Sequence, residues 1–115
     1  MPMPAPTPRQ IAALQLDRYN ARDLDGFCSL FQEDAELWEL PAMTLRARGM
    51  AAIRAIYADR FSNPDLFCRV HATIDLGEVA IDRETVTGVP GAPLEVIAQY
   101  HVVEGKIAKV FFWRG

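Results

Sequence analysis

Apolar residues in the first third of the chain recur at the spacing of an α-helix. Thr7 followed by Pro8 predicts where the first helix starts, because threonine caps helix N-termini and proline suits a first turn. The face of this helix that points inward, with two polar interruptions, consists of Ile11, Leu14, Gln15, Arg18 and Tyr19.

Two more helices follow from the same pattern. Residues 20–23 break the first helix, and Asp23 is placed to cap a short second one. Its predicted inward side chains are Leu24, Phe27, Cys28, Leu30 and Phe31. A third helix is predicted over residues 50–61, and the polar, proline-containing segment 62–65 ends it.

From Ala35 onward, apolar residues recur at every second position, which indicates strands. Residues 36–40 alternate polar and apolar, Pro41 ends that strand, and residues 44–48 are its predicted hairpin partner. The remaining predicted strands cover residues 66–76, 79–87, 94–103 and 107–113. Three helices followed by a four-strand antiparallel meander predict an α+β domain.

Length and charge narrow the class of protein. With 115 residues the chain has room for one domain, predicted over residues 9–115 behind a flexible, proline-rich lead at residues 1–8. This lead lacks the apolar core of a secretion signal, and no apolar run reaches the length of a membrane span. The net charge of −3, without a basic cluster, argues against nucleic acid and anionic membranes as partners. We expect a soluble cytoplasmic protein.

Cysteines and histidines give no sign of a metal site. Cys28 and Cys68 lie apart in apolar segments, so we expect two buried, reduced thiols. His71 and His101 each lie in a strand and are predicted to point away from the helices. Since no His, Cys, Asp or Glu cluster has metal-ligand spacing, we expect no metal and no cofactor.

Three segments resemble a known family: Tyr19 to Pro41, RGMAAIRAIYADRF at residues 48–61, and YHVVEGKIAKVFFW at residues 100–113. They are similar to the SnoaL-like families of the nuclear transport factor 2-like superfamily. The resemblance implies a cone, in which three N-terminal helices pack on a curved, mainly antiparallel sheet around one apolar pocket. It leaves the activity open, because the superfamily includes isomerases, cyclases, dehydratases, epoxide hydrolases and non-catalytic binding domains.

Aligned on the resemblance, Glu39 stands where ketosteroid isomerases carry their general base. Those enzymes place a tyrosine and a protonated aspartic acid opposite the base to stabilise the enolate. Here Gln15 and Ala98 occupy the two donor positions, and alanine has no side-chain donor. Tyr100 is another candidate donor, and Asp82 is the second-choice carboxylate.

The predicted pocket takes a small hydrophobic ligand. Its lining is predicted to include Leu14, Arg18, Tyr19, Trp38, Tyr57, Ala98, Val110 and Phe112. Two functions stay open: an isomerase, cyclase or dehydratase of a small carbonyl compound with Glu39 as base, or a binding domain without catalysis.

Three alternatives concern single residues. If the face that carries Trp38 is the inner one, Glu39 is an ordinary solvent carboxylate. Asp82 and Glu84 share a face, and we expect them to form a solvated edge rather than a catalytic pair. Arg114 either reaches a ligand carboxylate bidentately or extends into solvent at the chain end.

The last strand is apolar on both faces, although a sheet covered by helices on one side needs only one apolar face. A row formed by Ile107, Phe111 and Trp113 would then be exposed, which monomers avoid. We therefore predict a homodimer through this outer face. The alternative is a sheet that curls and buries both faces within one chain.

Overall fold

A computed structural model describes residues 4–115 and shows three helices packed on one six-stranded sheet. The helices are α1 (Pro8–Ala21), α2 (Leu24–Cys28) and α3 (Met50–Phe61). The strands are β1 (Phe31–Leu40), β2 (Thr44–Arg48), β3 (Phe67–Leu76), β4 (Val79–Thr87), β5 (Leu94–Val103) and β6 (Lys106–Arg114). The predicted α+β class, with helices on a mainly antiparallel sheet, is confirmed.

The order of strands across the sheet is β2-β1-β6-β5-β4-β3. Strands β3 to β6 form the predicted antiparallel meander, and β1 pairs with β2 as the predicted hairpin. Strand β1 also lies parallel to β6, a long-range pairing that the local pattern did not show. This pairing joins the hairpin to the meander in one continuous sheet.

Helix α1 begins as its sequence predicts. The Thr7 hydroxyl accepts a hydrogen bond from the Gln10 amide at 3.1 Å, and the Gln10 side chain accepts one from the Thr7 amide at 2.9 Å. This reciprocal pair satisfies two backbone donors that would otherwise lack partners. At the other end, Arg22 adopts a left-handed conformation with φ of 54° and closes the helix.

Helix α2 is shorter than the prediction. Leu30 and Phe31 were assigned to it, but the helix ends at Cys28 and Phe31 already begins β1. The physical reason is that Phe31 pairs with Ile107 of β6, and this pairing favours an extended backbone over another helical turn.

The core lies between the helices and the inner face of the sheet. At its centre, Phe27 of α2 contacts four aromatic rings, the closest being Tyr57 at 4.5 Å between ring centroids. The other three, at 5.2 to 6.2 Å, are Phe31, Phe61 and Tyr19. Their tilted and edge-on arrangements are the favourable ones for aromatic pairs.

Two of the four register shifts in the described sheet change which way the side chains of the candidate residues point. Between β1 and β2, the pairs Leu37–Ala47 and Trp38–Leu45 leave Arg46 without a partner residue, as in a β-bulge. Between β5 and β6 the register shifts after His101.

The second shift corrects one prediction about the outer face. Ile107 pairs with Val102 and is fully buried in the core, so it does not lie in a row with Phe111 and Trp113. Strict alternation fails here because the shift inserts one residue between Ile107 and Lys109.

The longest helix in residues 4–115 has 14 residues, and none is long and apolar enough to cross a bilayer.

Candidate functional site

A cavity of about 40 Å³ lies between the three helices and the inner face of the sheet. Its wall is mostly apolar and is built from all three helices and from all six strands. The polar groups inside it are Gln15, Tyr57, Cys68, Glu84 and Tyr100. A cavity of this volume holds a few water-sized groups, so it suits one end of a small ligand.

Glu84 is the carboxylate on the cavity wall. It lies on β4 between Val70 and Val96 of the neighbouring strands, and only 6% of the residue is exposed. Its Oε2 atom is enclosed and has no hydrogen-bond partner within residues 4–115. Burial raises the pKa of Glu84 to about 7, with Asp82 adding to the rise and the nearby Cys68 thiol and Arg114 opposing it.

The groups around Glu84 are held in their neutral forms. Burial, together with the nearby Glu84 charge, raises the pKa of the Cys68 thiol far above its usual value, so Cys68 is not a thiolate nucleophile. Burial likewise raises the pKa of Tyr57 and of Tyr100. Both phenols therefore stay protonated and are able to donate a hydrogen bond to a ligand.

Three arginines line the mouth of the cavity: Arg46 from the bulge of β2, Arg60 from α3 and Arg114 from β6. Glu39 lies beside them, with 27% of its side chain exposed. Nε of Arg114 donates to both Glu39 oxygens at 3.2 and 3.0 Å, and its Nη2 donates at 2.9 Å. Nη1 of Arg46 donates to the same carboxylate at 3.2 Å.

Asp82 forms an ion pair with Arg9 rather than facing the cavity. It is 1% exposed, and Arg9 of α1 donates to it at 2.7 Å. The same guanidinium also binds Asp75 of β3 at 2.6 Å. Asp82 therefore holds α1 against β3 and β4, outside the cavity lining.

The structure brings together some of the candidate residues and separates others. Those on the cavity wall are Gln15, Tyr19, Tyr57, Tyr100, Val110 and Phe112. Leu14 is 36% exposed on the helix, Arg18 pairs with Asp23, and Ala98 is buried in the sheet between Asp82 and Phe112.

Trp38 was expected in the pocket but lies on the outer face, where its ring stacks on Phe111 at 6.5 Å. Glu39, on the opposite face of the same strand, points to the inner side but stops at the rim. Of the two orientations considered for this strand, the structure has the one with Leu37 inside and Trp38 outside.

The expectation that Asp82 and Glu84 form a solvated edge is wrong, since both are buried. Sequence reasoning missed Glu84 and Cys68 as cavity residues, although one signal pointed to Glu84. In an antiparallel pair, the residues that face Val96 and Ala98 must share their side of the sheet, and these residues are Glu84 and Asp82.

Solved structures confirm the fold. The chain is 13% identical to a nuclear transport factor 2-like protein of unknown function from Cytophaga hutchinsonii, with a TM-score of 0.82 over 100% of this chain and 95% of that one. A candidate polyketide cyclase from Sinorhizobium meliloti is 20% identical, with a TM-score of 0.76 and coverage of 89% and 92%. A candidate ketosteroid isomerase from Kribbella flavida is also 20% identical, with a TM-score of 0.80 and coverage of 93% and 76%.

These identities are low enough that the structural similarity bears on the fold alone. No curated protein matches the sequence at a significant level. The family model of the SnoaL-like domain matches residues 13–110, which is most of the chain and includes every residue on the cavity wall except Phe112 and Arg114. The chain therefore belongs to the SnoaL-like domain family.

Proposed function

We propose that the protein is an acid–base enzyme, of the isomerase, cyclase or dehydratase type, that acts on a small apolar carbonyl compound. The observation that carries this proposal is Glu84, a buried carboxylate on the wall of a mostly apolar cavity. One of its oxygens has no hydrogen-bond partner among residues 4–115. A structural ion pair would satisfy both oxygens, whereas a group that exchanges protons with a ligand needs one that is free.

The chemistry follows from the environment of Glu84. With a pKa of about 7, it is present as base and as acid in comparable amounts near neutral pH. The ionised form takes a proton from the carbon next to the carbonyl and leaves an enolate. The same group then returns that proton to another carbon, which completes an isomerisation without any further reactant.

The developing enolate needs hydrogen-bond donors. Tyr57 and Tyr100 are buried phenols on the same cavity wall, and Gln15 adds a side-chain amide. Such donors stabilise negative charge strongly when water is excluded, and removing one from an enzyme typically lowers the rate by about 10²–10³. These three side chains take the place of the tyrosine and the protonated aspartic acid of the ketosteroid isomerases.

In this proposal Glu39 is not the base. Its carboxylate is engaged by Arg46 and Arg114 at the rim, and ion pairs of this kind favour the charged form and weaken a base. We assign it to the positioning of Arg114. It remains the competing candidate for the base, because the family alignment points to it.

The second candidate function is binding without catalysis. The observation that favours it is the volume of about 40 Å³, which leaves little room for a reacting ligand. In that case the same compounds bind and are released unchanged.

Deuterium exchange separates these functions. Small ketones, cyclic β,γ-unsaturated ketones and short keto acids are incubated with the protein in D₂O, and proton NMR follows the signal next to the carbonyl. We expect exchange or isomerisation of at least one class, with a fall of about 10²–10⁴ in rate for Glu84→Gln. Glu36→Gln, which changes a carboxylate on the outer side near Arg48, is the control.

If Glu39→Gln abolishes exchange and Glu84→Gln does not, the assignment of the base is wrong. If no compound exchanges while several perturb the amide spectrum of the protein, the binding function replaces the enzymatic one.

We also infer that the protein forms a homodimer through the outer face of the sheet. Large apolar side chains are exposed there, including Ile74 at 65%, Leu76 at 83% and Trp113 at 42%. Ile81 and Ile97 line a shallow apolar groove on the same face. Patches of this kind mark association sites.

The charges on this face suit a second copy. Arg83 and Glu95 form an ion pair within one chain, so these two residues add no net charge where two identical faces meet. A two-fold interface joins the same surface of both chains, as this arrangement requires.

A further inference from the structure

The mouth of the cavity carries an excess of positive charge. Arg46, Arg60 and Arg114 line it, and Glu39 is the carboxylate paired with two of them. Even with Glu84 ionised inside the cavity, three guanidinium groups against two carboxylates leave a positive excess, although the whole chain has a net charge of −3. Charge of this sign at the entrance of an apolar cavity favours an anionic ligand.

Arg114 already holds one carboxylate at this rim. Arg114 holds Glu39 through Nε and Nη2, the two-point contact that a planar guanidinium makes with a planar carboxylate. Its guanidinium carbon also lies 5.2 Å from the centroid of the Phe112 ring, which keeps the side chain over the cavity wall.

Arg60 is the cation at the rim that is still available. Its Nη1 lies 3.5 Å from the Tyr19 hydroxyl, and it forms no ion pair within the described residues. By contrast, Arg54 on the same helix is paired with Asp25. Within the part of the chain that the structure describes, helix α3 therefore presents one paired arginine outside the cavity and one without an acidic partner at its mouth.

The distance between the two ends of the site matches a short molecule. Glu84, Val96 and Arg114 are direct partners across β4, β5 and β6. Two strand spacings separate the backbone at Glu84 from that at Arg114 by roughly 10 Å. A short ligand therefore reaches from the arginines at the rim to the carboxyl group inside.

We propose that the substrate is a short-chain carbonyl compound with a carboxylate, which Arg60 and Arg114 hold at the rim while the apolar, carbonyl-bearing end enters the cavity. This proposal rests on the proposed acid–base function for its carbonyl group. Binding of the ligand's carboxylate depends only on the arginines at the rim, Arg60 and Arg114.

The test uses hexanoate and hexanamide, which share a carbon chain and differ in charge. Each is titrated into ¹⁵N-labelled protein at low salt, and NMR follows the backbone amides and the arginine Nε–Hε signals. We expect hexanoate to bind at least tenfold more tightly than hexanamide and to shift the signals of Arg60 and Arg114. Raising the salt concentration should reduce the difference.

Two variants on one helix give the matched comparison. Arg60→Gln should weaken hexanoate binding at least fivefold and leave hexanamide binding unchanged, and Arg60→Lys should restore part of the loss. Arg54→Gln, which removes the same charge from the same helix outside the mouth, should change neither. The amide spectrum of each variant shows that it is folded.

Equal affinity for the two compounds, no binding of either, or shifts confined to Ile81 and Ile97 on the outer face would each overturn the proposal. Neither compound reacts, so the preference for hexanoate does not depend on catalysis. If that preference is present while no keto acid exchanges its protons, the acid–base function fails and the carboxylate site stands.

Discussion

A single carboxylate, Glu84, shows how the surroundings of a residue set its chemistry. An ionised carboxylate is poorly solvated among apolar side chains, and within residues 4–115 no arginine or lysine forms an ion pair with the Glu84 carboxylate. Asp82, two residues away on the same face, is equally buried but has Arg9 at 2.7 Å. Two neighbouring acids on one strand therefore have different roles.

The raised pKa of Glu84 makes stability depend on pH. An unfolded glutamic acid ionises near pH 4.5, whereas folded Glu84 keeps its proton until about pH 7. Between these values the folded state binds more protons, so the free energy of unfolding falls as pH rises, by about 3 kcal/mol in total. We expect Glu84→Gln to remove this decrease, and urea unfolding at pH 5 and pH 8 measures it.

Subtracting the pH dependence of the free energy of unfolding of Glu84→Gln from that of the wild type isolates the contribution of Glu84 from those of other titrating groups. Burial lowers the pKa of His101, and this histidine has the opposite effect, adding stability as pH rises. Glu36→Gln serves as a control, because the contact with Arg48 lowers the pKa of Glu36 and places its titration below this window. Equal pH dependence in the wild type and Glu84→Gln would show that Glu84 ionises normally.

At the scale of elements, an ion pair rather than apolar packing alone fastens the start of α1 to the sheet. Arg9 lies in the first turn of α1 and contacts Asp75 of β3 and Asp82 of β4. Asp82 depends on this contact to balance its charge, because its side chain is buried away from water. A buried charge without its partner is strongly unfavourable.

We expect Arg9→Met to lower the free energy of unfolding by about 2–3 kcal/mol, because it leaves the Asp82 charge buried and unpaired. This is less than for a fully enclosed pair, since Arg9 is itself partly exposed. The double variant Arg9→Met with Asp82→Asn should recover part of the loss, as the charge is gone.

Asp75→Asn is the matched control and should have a much smaller effect, because the Asp75 side chain is 45% exposed. Urea unfolding at pH 7 compares the four proteins. A loss for Asp75→Asn as large as that for Arg9→Met would show that the exposed half of the contact matters more than the buried half.

At the scale of the whole molecule, the outer face of the sheet is apolar without a cover of helices. Light scattering after size exclusion should give the wild type twice the mass of one chain. Ile97→Glu places a charge in the apolar groove on this face and should give a single-chain mass. Leu14→Glu changes an apolar residue of similar exposure on the helical side and should leave the dimer intact. A wild type of single-chain mass at 100 µM protein, a concentration chosen for the assay, would contradict the dimer.

Local signals were sufficient for most of the elements. The Thr7–Pro8 pair, the apolar spacing of 50–61 and the alternation of 94–103 each depend on neighbours in the sequence, so these elements could be predicted within a residue or two. The boundary between α2 and β1 could not, because Phe31 takes its conformation from Ile107, which lies 76 positions further along the chain.

The candidate site was predictable in part for the same reason. Gln15, Tyr57 and Tyr100 followed from alternation and helical spacing, which identify a face, and the structure places them on the cavity wall. Glu84 did not follow, since its inward position was clear only from its pairing with Val96, and a charged residue is more often found outside.

By itself, the sequence determined the kind and order of the helices and strands and the α+β class, because these depend on spacing and capping along the chain. The family followed from three segments that resemble it. Only the tertiary structure decided which carboxylate faces the cavity, that Arg46 turns to its mouth and that Ile107 points inward. The physical reason is that a bulge or a parallel pairing between distant strands changes the side to which a residue points, and with it the residue's access to water.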